Sequence, residues 1–281
     1  MDYIHGCDRS EQERLIAQAQ FWQSRVLLRQ NLLQPGERML EIGCGVGAVL
    51  GILGQHYPGV SFAGIDLQAE QINYARQHLS GLGVECDLRV GDAAHLPWPD
   101  QSFDQVYAVW FLEHLDRPER VLEEAYRVLK PGGRIILTET DYATLLVWPS
   151  CGDFQALMQA LQDLFIQAGG NPYIGRRLAP LLLKAGFTST SSTPWGFHFF
   201  SQPDDRELQD FVAYLDEIFN PLLEQMQTRV QGDRAQLQRG LEHLTRLPSR
   251  PEGTASVTIY RATGVKPAAA SDSKLQDWMD G

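Results

Sequence analysis

The chain is poor in cysteine, and the few cysteines it has are scattered. Cys7, Cys44, Cys86 and Cys151 are the four in 281 residues, and no two of them form a CxxC pair. Zinc sites and the disulfide frameworks of small secreted proteins both need more closely patterned cysteines. The sequence therefore predicts neither a metal site nor a disulfide framework, and it favours a reducing, cytoplasmic compartment.

Long apolar runs and positive charge are also in short supply. No stretch approaches the roughly 20 apolar residues that span a bilayer. The N-terminus has no basic start followed by an apolar segment, so no export signal and no membrane partner are predicted. Lys and Arg number 24 against 35 Asp and Glu, which gives a formal net charge of −11. That charge disfavours the phosphate backbone of nucleic acids as a partner.

Short apolar runs alternate with amphipathic stretches between residues 38 and 140. Strands are predicted at 38–43, 61–67, 86–92, 103–110 and 133–139, and helices at 47–57, 69–79 and 118–129. The runs are apolar throughout, as in strands that are covered on both faces. Strands that are separated by helices predict a parallel sheet with helices on both sides.

The flanking regions follow other patterns. Ser10 and Glu13 have the spacing of a capping box, which predicts a leading helix that continues through Leu33. Later helices are predicted at 175–187, at 205–230 with a bend at Pro221, and at 234–247, and strands at 196–200 and 255–263.

A glycine-rich loop follows the first predicted strand, in the stretch "RMLEIGCGVGAVLGIL". Its spacing is GxGxG, and not the GxGxxG that places a pyrophosphate over a helix end. Glu41 precedes the loop, where it would repel a pyrophosphate but attract an ammonium group. Asp66 ends the second strand, where an acid can accept hydrogen bonds from ribose hydroxyls. A ribose joined to a cationic amino acid, without phosphate, describes S-adenosylmethionine (SAM), which is the predicted cofactor.

Four motifs make this pattern specific: "LEIGCGVG", "GIDL", "GDAAHLPWPDQSFD" and "EEAYRVLKPGGRIIL". In order and spacing they resemble the motifs of class I SAM-dependent methyltransferases, within the group related to ubiquinone and menaquinone biosynthesis methyltransferases. The resemblance covers residues 38–140 closely and the flanks loosely. It implies an α/β fold with a Rossmann-like, seven-stranded, mostly parallel sheet whose last strand is antiparallel.

The resemblance and the order of elements together divide the chain into five parts. These are an N-terminal helical lid (1–34), a SAM-binding core (35–141), a roof over the substrate that includes the sixth-strand region 175–201 (142–253), the last core strand (254–264) and a flexible tail (265–281).

The resemblance also implies which residues hold SAM. Glu41, Gly43 and Gly45 match contacts to the methionine part. Asp66 matches the ribose-binding acid, with Leu67 against the adenine. The remaining positions are Asp92 and Ala93 at the adenine edge, Trp110 beside the methionine and sulfonium, and Tyr3 and His5 as lid contacts.

Methyl transfer to a hydroxyl group needs a positioned base, whereas transfer to a neutral amine often does not. His114, His198 and Asp141 are the candidate bases near the carboxyl edge of the sheet, and for His114 a role in bracing the loop is an equal alternative. The aromatic residues of the roof predict an enclosed pocket for a small, largely apolar or aromatic molecule. Arg176 or Arg177 could bind a substrate carboxylate.

The sequence thus predicts an enzyme that methylates an oxygen or nitrogen of a small molecule. The alternatives are a carbon-methylating enzyme of the same family and a SAM-binding sensor or interaction subunit without transfer activity. The acceptor atom, the substrate and the oligomeric state stay open at this stage.

Overall fold

The structure is a computed structural model, and it describes residues 4–30, 33–202 and 206–268. Tyr3, a predicted cofactor contact, lies outside the described residues. So does most of the predicted tail. No helix in these three ranges is both long and apolar enough to cross a membrane.

The described residues form one seven-stranded sheet in the order β3-β2-β1-β4-β5-β7-β6. Its strands are β1 Arg38–Ile42, β2 Ser61–Asp66, β3 Cys86–Val90, β4 Phe103–Val109, β5 Leu129–Trp148, β6 Thr188–Phe200 and β7 Thr254–Val265. Strand β7 runs antiparallel between β5 and β6, and the pairs among β1 to β5 are parallel. The predicted fold class is confirmed.

Helices cover both faces of the sheet and build a roof at one edge. They are α1 Arg9–Trp22, α2 Ala48–His56, α3 Ala69–Gly81, α4 Pro118–Val128, α5 Gly152–Gln167, α6 Leu178–Lys184, α7 Glu207–Phe219, α8 Leu223–Arg229 and α9 Arg234–Thr245. In α4, for example, Val121, Leu122, Ala125 and Val128 are buried because their spacing puts them on one face. A 3₁₀ turn that contains Pro221 separates α7 from α8, which is the predicted bend.

The leading helix differs from the prediction at both ends. Asp8 is its N-cap, because the Asp8 carboxylate accepts the backbone N–H of Glu11 at 3.0 Å while the Ser10 hydroxyl also donates to it. The α-helix ends at Trp22, and a π-helical turn follows at Gln23–Leu27. Gln30 then has a left-handed φ of 54°, which a right-handed helix cannot contain. The predicted continuation through Leu33 is wrong.

Strand β6 is longer than predicted, and helix α5 was not predicted. Strand β6 begins at Thr188 and not at residue 196, because its polar Ser and Thr residues are exposed at the sheet edge yet pair with β7. Helix α5 was not predicted as a separate element, although Phe154, Leu157, Leu161 and Leu164 share a buried face. It packs against α9 within the roof.

The roof and the sheet share one core. Strands β5, β6 and β7 extend past the carboxyl ends of the other strands, and a bulge between Asp141 and Leu146 interrupts the β5–β7 pairing. One continuous cluster of buried side chains includes Leu50 beside the sheet, Trp22 of α1 and Phe219 of α7. The lid and roof are therefore part of the folding unit.

Asp141 has a structural partner in this region. Its side chain is fully buried, and its two carboxylate oxygens accept from Nε and Nη2 of Arg176, the latter at 2.7 Å. Arg176 lies in the 3₁₀ turn Ile174–Arg177, so the pair joins β5 to that turn. The predicted role of Arg176 in holding a substrate carboxylate is wrong, because its guanidinium is already paired.

Replacing Arg176→Gln should lower the free energy of unfolding by about 1–3 kcal/mol, since a buried carboxylate loses two charged donors. Arg177→Gln is the matched control, because this neighbouring arginine is exposed and the charge change is the same. Urea denaturation of both variants measures the difference. Equal stability of the two variants would contradict the structural role of the pair.

Candidate functional site

A cavity lies at the carboxyl ends of β1, β2 and β4. Its floor is the glycine loop after β1, and α1 and α7 close it from above. The lid supplies more of its lining than the roof does: His5, Cys7, Arg14, Leu15, Gln18 and Ala19 come from the N-terminal segment, and Tyr142, Tyr214 and Ile218 come from the roof. The carboxyl edge of a parallel sheet is the usual ligand position in open α/β folds.

The glycine loop takes a path that side chains would obstruct. Gly43, Gly45 and Gly47 have φ values of 70°, 47° and 71°. A Cβ atom on Gly43 would stand 2.2 Å from the ring of Phe111. Glycine is therefore required at position 43 both for its conformation and for the approach of Phe111.

Two carboxylates flank this loop. The Asp66 carboxylate accepts the N–H groups of Gly45 and Gln68, both at 2.9 Å, which fixes the turn after β2 against the glycine loop. Glu41 is 2% exposed, and its Oε2 has no hydrogen-bond partner among the described residues. Burial and the charge of Asp66 raise the pKa of Glu41 well above its ordinary range. An ammonium group of a bound ligand would satisfy this oxygen and restore the ionised form.

The other predicted cofactor residues fall into two groups. Leu67 and Trp110 line the cavity together with Glu41, Gly43, Gly45 and Asp66. Trp110 has a left-handed φ of 49°, and its indole N–H donates to the Thr140 hydroxyl at 3.0 Å. Asp92 and Ala93 follow β3 at the same sheet edge but outside the cavity lining, and the Asp92 carboxylate accepts from Ala94 N–H at 2.9 Å. Their assignment to the adenine edge stays a prediction.

The structure separates the three candidate bases. His114 lines the cavity, and its ring stacks on Phe165 with centroids 5.4 Å apart. His198 does not line it: the ring is exposed on the edge strand β6, on the face opposite Phe197 and Phe199. Asp141 is bound to Arg176, as described above. Neither His198 nor Asp141 therefore stands at the cavity as a candidate base, because strand alternation exposes His198 and the ion pair with Arg176 occupies Asp141.

Glu139, at the carboxyl side of β5, braces the loop after β4. Its Oε1 accepts the N–H groups of Phe111 at 3.0 Å and Leu112 at 2.7 Å. Burial raises the pKa of Glu139 to about 8. Its place is thus beneath the segment that carries Glu113 and His114, and it does not line the cavity.

Several polar residues of the cavity were not singled out from the sequence. In the lid, Arg14 donates to both carboxylate oxygens of Glu11 at 2.6 and 2.7 Å and to Gln18 Oε1 at 2.7 Å. Glu113 follows β4 and is 3% exposed. The signal that could have found Arg14 and Gln18 is that both lie on the same helix face as Leu15 and Trp22, where polar residues are uncommon.

The seven-stranded sheet of this order, the glycine loop after β1 and the acids Glu41 and Asp66 at the ends of β1 and β2 are those expected of a class I SAM-dependent methyltransferase. Residues 40–137 match the model of a family described as "Methyltransferase domain". This segment is a methyltransferase domain, and SAM is the cofactor of its class.

Relatives of known sequence support the same class. An uncharacterized 37.1 kDa protein in transposon TN4556 of Streptomyces fradiae is 37% identical over 164 residues, 57% of this chain and 46% of that protein. The 24-methylenesterol C-methyltransferase 2 of Oryza sativa is 38% identical over 113 residues, 39% of this chain and 31% of that enzyme. The demethylmenaquinone methyltransferase of Lactobacillus johnsonii is 35% identical over 115 residues, 40% of this chain and 47% of that enzyme.

The match to the demethylmenaquinone methyltransferase confirms the predicted resemblance to the menaquinone methyltransferase group. The chain spans less than half the length of each of the three. The similarity therefore defines the methyltransferase domain and leaves the whole protein's activity to proposal.

Solved structures share the fold over most of the chain. Phosphoethanolamine N-methyltransferase 2 of Haemonchus contortus, in complex with phosphomonomethylethanolamine and S-adenosylhomocysteine, aligns with a TM-score of 0.58 at 15% identity over 91% of this chain and 58% of that one. The [4+2]-cyclase SpnF aligns with a TM-score of 0.55 at 22% identity over 90% of this chain and 83% of that one. At these identities the likeness shows the fold alone.

Replacing Glu41→Gln should weaken the binding of S-adenosylhomocysteine by about tenfold or more, since a hydrogen bond to a charged group contributes about 1.5–3 kcal/mol. The wild type should also prefer S-adenosylhomocysteine to its analogue without the α-amino group, and the variant should not. Calorimetry measures all four affinities. Glu70→Gln, an exposed change in the first turn of α3, is the control. A wild type that binds both compounds equally would show that Glu41 does not hold the ammonium.

The free energy of unfolding of the protein should depend on pH through His114. Burial and the charge of Arg14 lower the pKa of His114 to about 4, whereas the unfolded chain titrates at about 6.5. The unfolded state therefore binds more protons between these values, so stability contributed by His114 is lost as the pH falls below about 6.5.

His114→Gln should accordingly lose less stability than the wild type between about pH 7 and about pH 5. Urea denaturation at a series of pH values measures this, with the exposed His198→Gln as the matched control. Identical pH dependence of His114→Gln and the wild type would contradict the burial of a neutral His114.

Proposed function

We propose that the protein transfers the methyl group of SAM to an oxygen or nitrogen of a small molecule. The observation that carries the proposal is that one cavity joins two kinds of lining. The glycine loop, Glu41 and Asp66 come from the ends of β1 and β2, whereas Glu113, His114 and Tyr142 come from the turn after β4 and from β5. SAM held by the first group would supply its methyl group to an acceptor held by the second.

SAM would supply an activated methyl group, so the chain mainly has to hold an acceptor in line with it. Helix α1 covers the cavity, and its position is fixed by contacts to the roof: Phe21 stacks on Tyr214 with centroids 5.4 Å apart, and Trp22 packs edge-on against Phe197 at 4.9 Å. Such a cover excludes water and limits the size of the acceptor. This supports a small molecule as the substrate.

The lining also bears on the polarity of the acceptor. Most of the roof's aromatic residues, including Phe154, Phe165, Phe211 and Phe219, are buried in the core. Two aromatic residues of the roof, Tyr142 and Tyr214, line the cavity together with polar side chains. We therefore infer an acceptor that carries a polar group next to an apolar part, and not a wholly apolar molecule.

The direct test is to incubate the protein with SAM and a metabolite extract and to search for S-adenosylhomocysteine and a product that is one methylene unit heavier. Glu41→Gln should reduce both signals, and His198→Ala should leave both unchanged. Binding of SAM with no S-adenosylhomocysteine formed from any acceptor would favour the non-catalytic sensor or interaction subunit.

Once the acceptor is identified, His114→Ala tests the need for a base. For a hydroxyl acceptor this variant should lower kcat by about 100-fold or more, with SAM affinity little changed. For an amine acceptor kcat should fall much less, since positioning supplies most of the rate. His198→Ala is the matched control, because its ring lies outside the cavity.

A further inference from the structure

Glu113 is a buried acid that the cofactor does not account for. It lies in the short turn Leu112–His114 directly after β4, and it lines the cavity at 3% exposure. Its Oε2 has no hydrogen-bond partner among the described residues. A buried carboxylate oxygen without a partner is costly, so a ligand group is expected to complete the site.

The surroundings of Glu113 hold it rigidly in place. Its backbone carbonyl accepts the N–H of Asn171 at 2.7 Å. Gly170 packs so closely that a Cβ atom there would stand 2.4 Å from the same carbonyl oxygen. The backbone that carries the Glu113 side chain is therefore fixed by contacts to Gly170 and Asn171.

The charged and titratable groups that face Glu113 do not neutralise it. Glu139 adds a second buried carboxylate, and the Tyr142 hydroxyl donates a hydrogen bond. The remaining neighbours are His114, Tyr214 and Arg14. His114 Nε2 lies 3.6 Å from Glu113 Oε1.

Arg14 is the cation among these neighbours, but its guanidinium is bidentate to Glu11 and bonded to Gln18. Burial and the Glu139 carboxylate raise the pKa of Glu113 well above its ordinary range. The region around Glu113 is thus short of positive charge.

We propose that the acceptor is an amine, bound as its ammonium ion by Glu113 between the rings of Tyr142 and Tyr214. This inference rests on the proposed methyl transfer and names the acceptor class for it. A carboxylate supplies the charge-assisted hydrogen bond that an ammonium requires, and aromatic faces attract cations. A phenol or alcohol would leave the Glu113 oxygen without a cation.

The arrangement also accounts for the proton. An ammonium ion has no lone pair, so Glu113 would first accept a proton from the nitrogen, which leaves a neutral amine. The nitrogen lone pair then forms a bond to the sulfonium methyl carbon while the carbon–sulfur bond breaks and its electron pair stays on sulfur. The products are S-adenosylhomocysteine and a methylated ammonium ion, and the proton on Glu113 passes to solvent.

The test uses the full chain saturated with S-adenosylhomocysteine and tetramethylammonium as the probe. Because this cation carries no proton, its binding beside a protonated Glu113 should release close to one proton at a pH below the raised pKa. Calorimetry in buffers of different ionisation enthalpy measures both the affinity and the proton release. The uncharged tert-butanol, of similar size, should bind more weakly and release none.

Glu113→Gln should reduce the affinity for tetramethylammonium by about tenfold or more and abolish the proton release. Glu217→Gln removes the same charge at an exposed position of α7, next to Ile218. This control should leave both the affinity and the proton release unchanged. The wild-type measurement alone remains decisive if the Gln variant does not fold.

Two outcomes would overturn the inference while the proposed function stands. In the first, the protein binds S-adenosylhomocysteine but does not bind tetramethylammonium, or it releases a proton only when SAM binds. Proton release with SAM alone would make the sulfonium the partner of Glu113. In the second, the product from the extract carries its new methyl on oxygen. A protein that binds neither SAM nor S-adenosylhomocysteine would instead overturn the proposed function itself.

Discussion

The constraint on which the site depends is the burial of carboxylates at one edge of the sheet. Glu41, Glu113 and Glu139 are all nearly inaccessible to solvent, and an ionised carboxylate in such a place must be paired or solvated by donors. Glu139 receives two backbone N–H groups from the loop that it braces. Glu41, Glu113 and Glu139 each keep an oxygen that the described residues do not satisfy, and of these three acids Glu41 and Glu113 line the cavity. These two are the acids for which we propose a positively charged partner.

Closure of the cavity follows from packing. Helix α1, the sheet face and the roof helices contribute to one hydrophobic cluster, so the cover over the cavity is stabilised by the same burial that stabilises the sheet. The salt bridge between Arg25 and Glu207, at 2.6 Å, adds a link between the π-helical turn after α1 and the start of α7. A lid held in this way suits chemistry that must exclude water.

The division between core and roof also explains what the comparisons can show. The family match ends at residue 137, before the roof begins, and the sequence relatives align over less than half of their own length. Their names include a carbon-methylating enzyme and a quinone-methylating enzyme, whereas a solved neighbour is an N-methyltransferase. One kind of methyltransferase domain therefore occurs in relatives and structural neighbours that are named for different acceptors.

The sequence by itself determined the parallel strands of the core and the position of the glycine loop, whereas the antiparallel last strand was implied by the family resemblance. These features depend on local patterns: apolar runs form buried strands, and Gly43 and Gly45 adopt backbone angles that other residues avoid. It also identified Glu41 and Asp66 as neighbours, because the carboxyl ends of adjacent parallel strands meet at one edge.

The tertiary structure decided which polar residues reach the cavity. His114 and His198 are both candidates in the sequence, but the 3₁₀ turn after β4 places His114 at the cavity and the alternation of strand β6 exposes His198. Asp141 resembled a base until its pairing with Arg176, 35 positions away, was visible. Arg14, Gln18 and Glu113 were overlooked because their significance depends on long-range packing, which places a helix from the N-terminus over the end of β4. Local propensity determines the helices and strands, but the charge balance of a cavity depends on residues that are distant from one another in the chain.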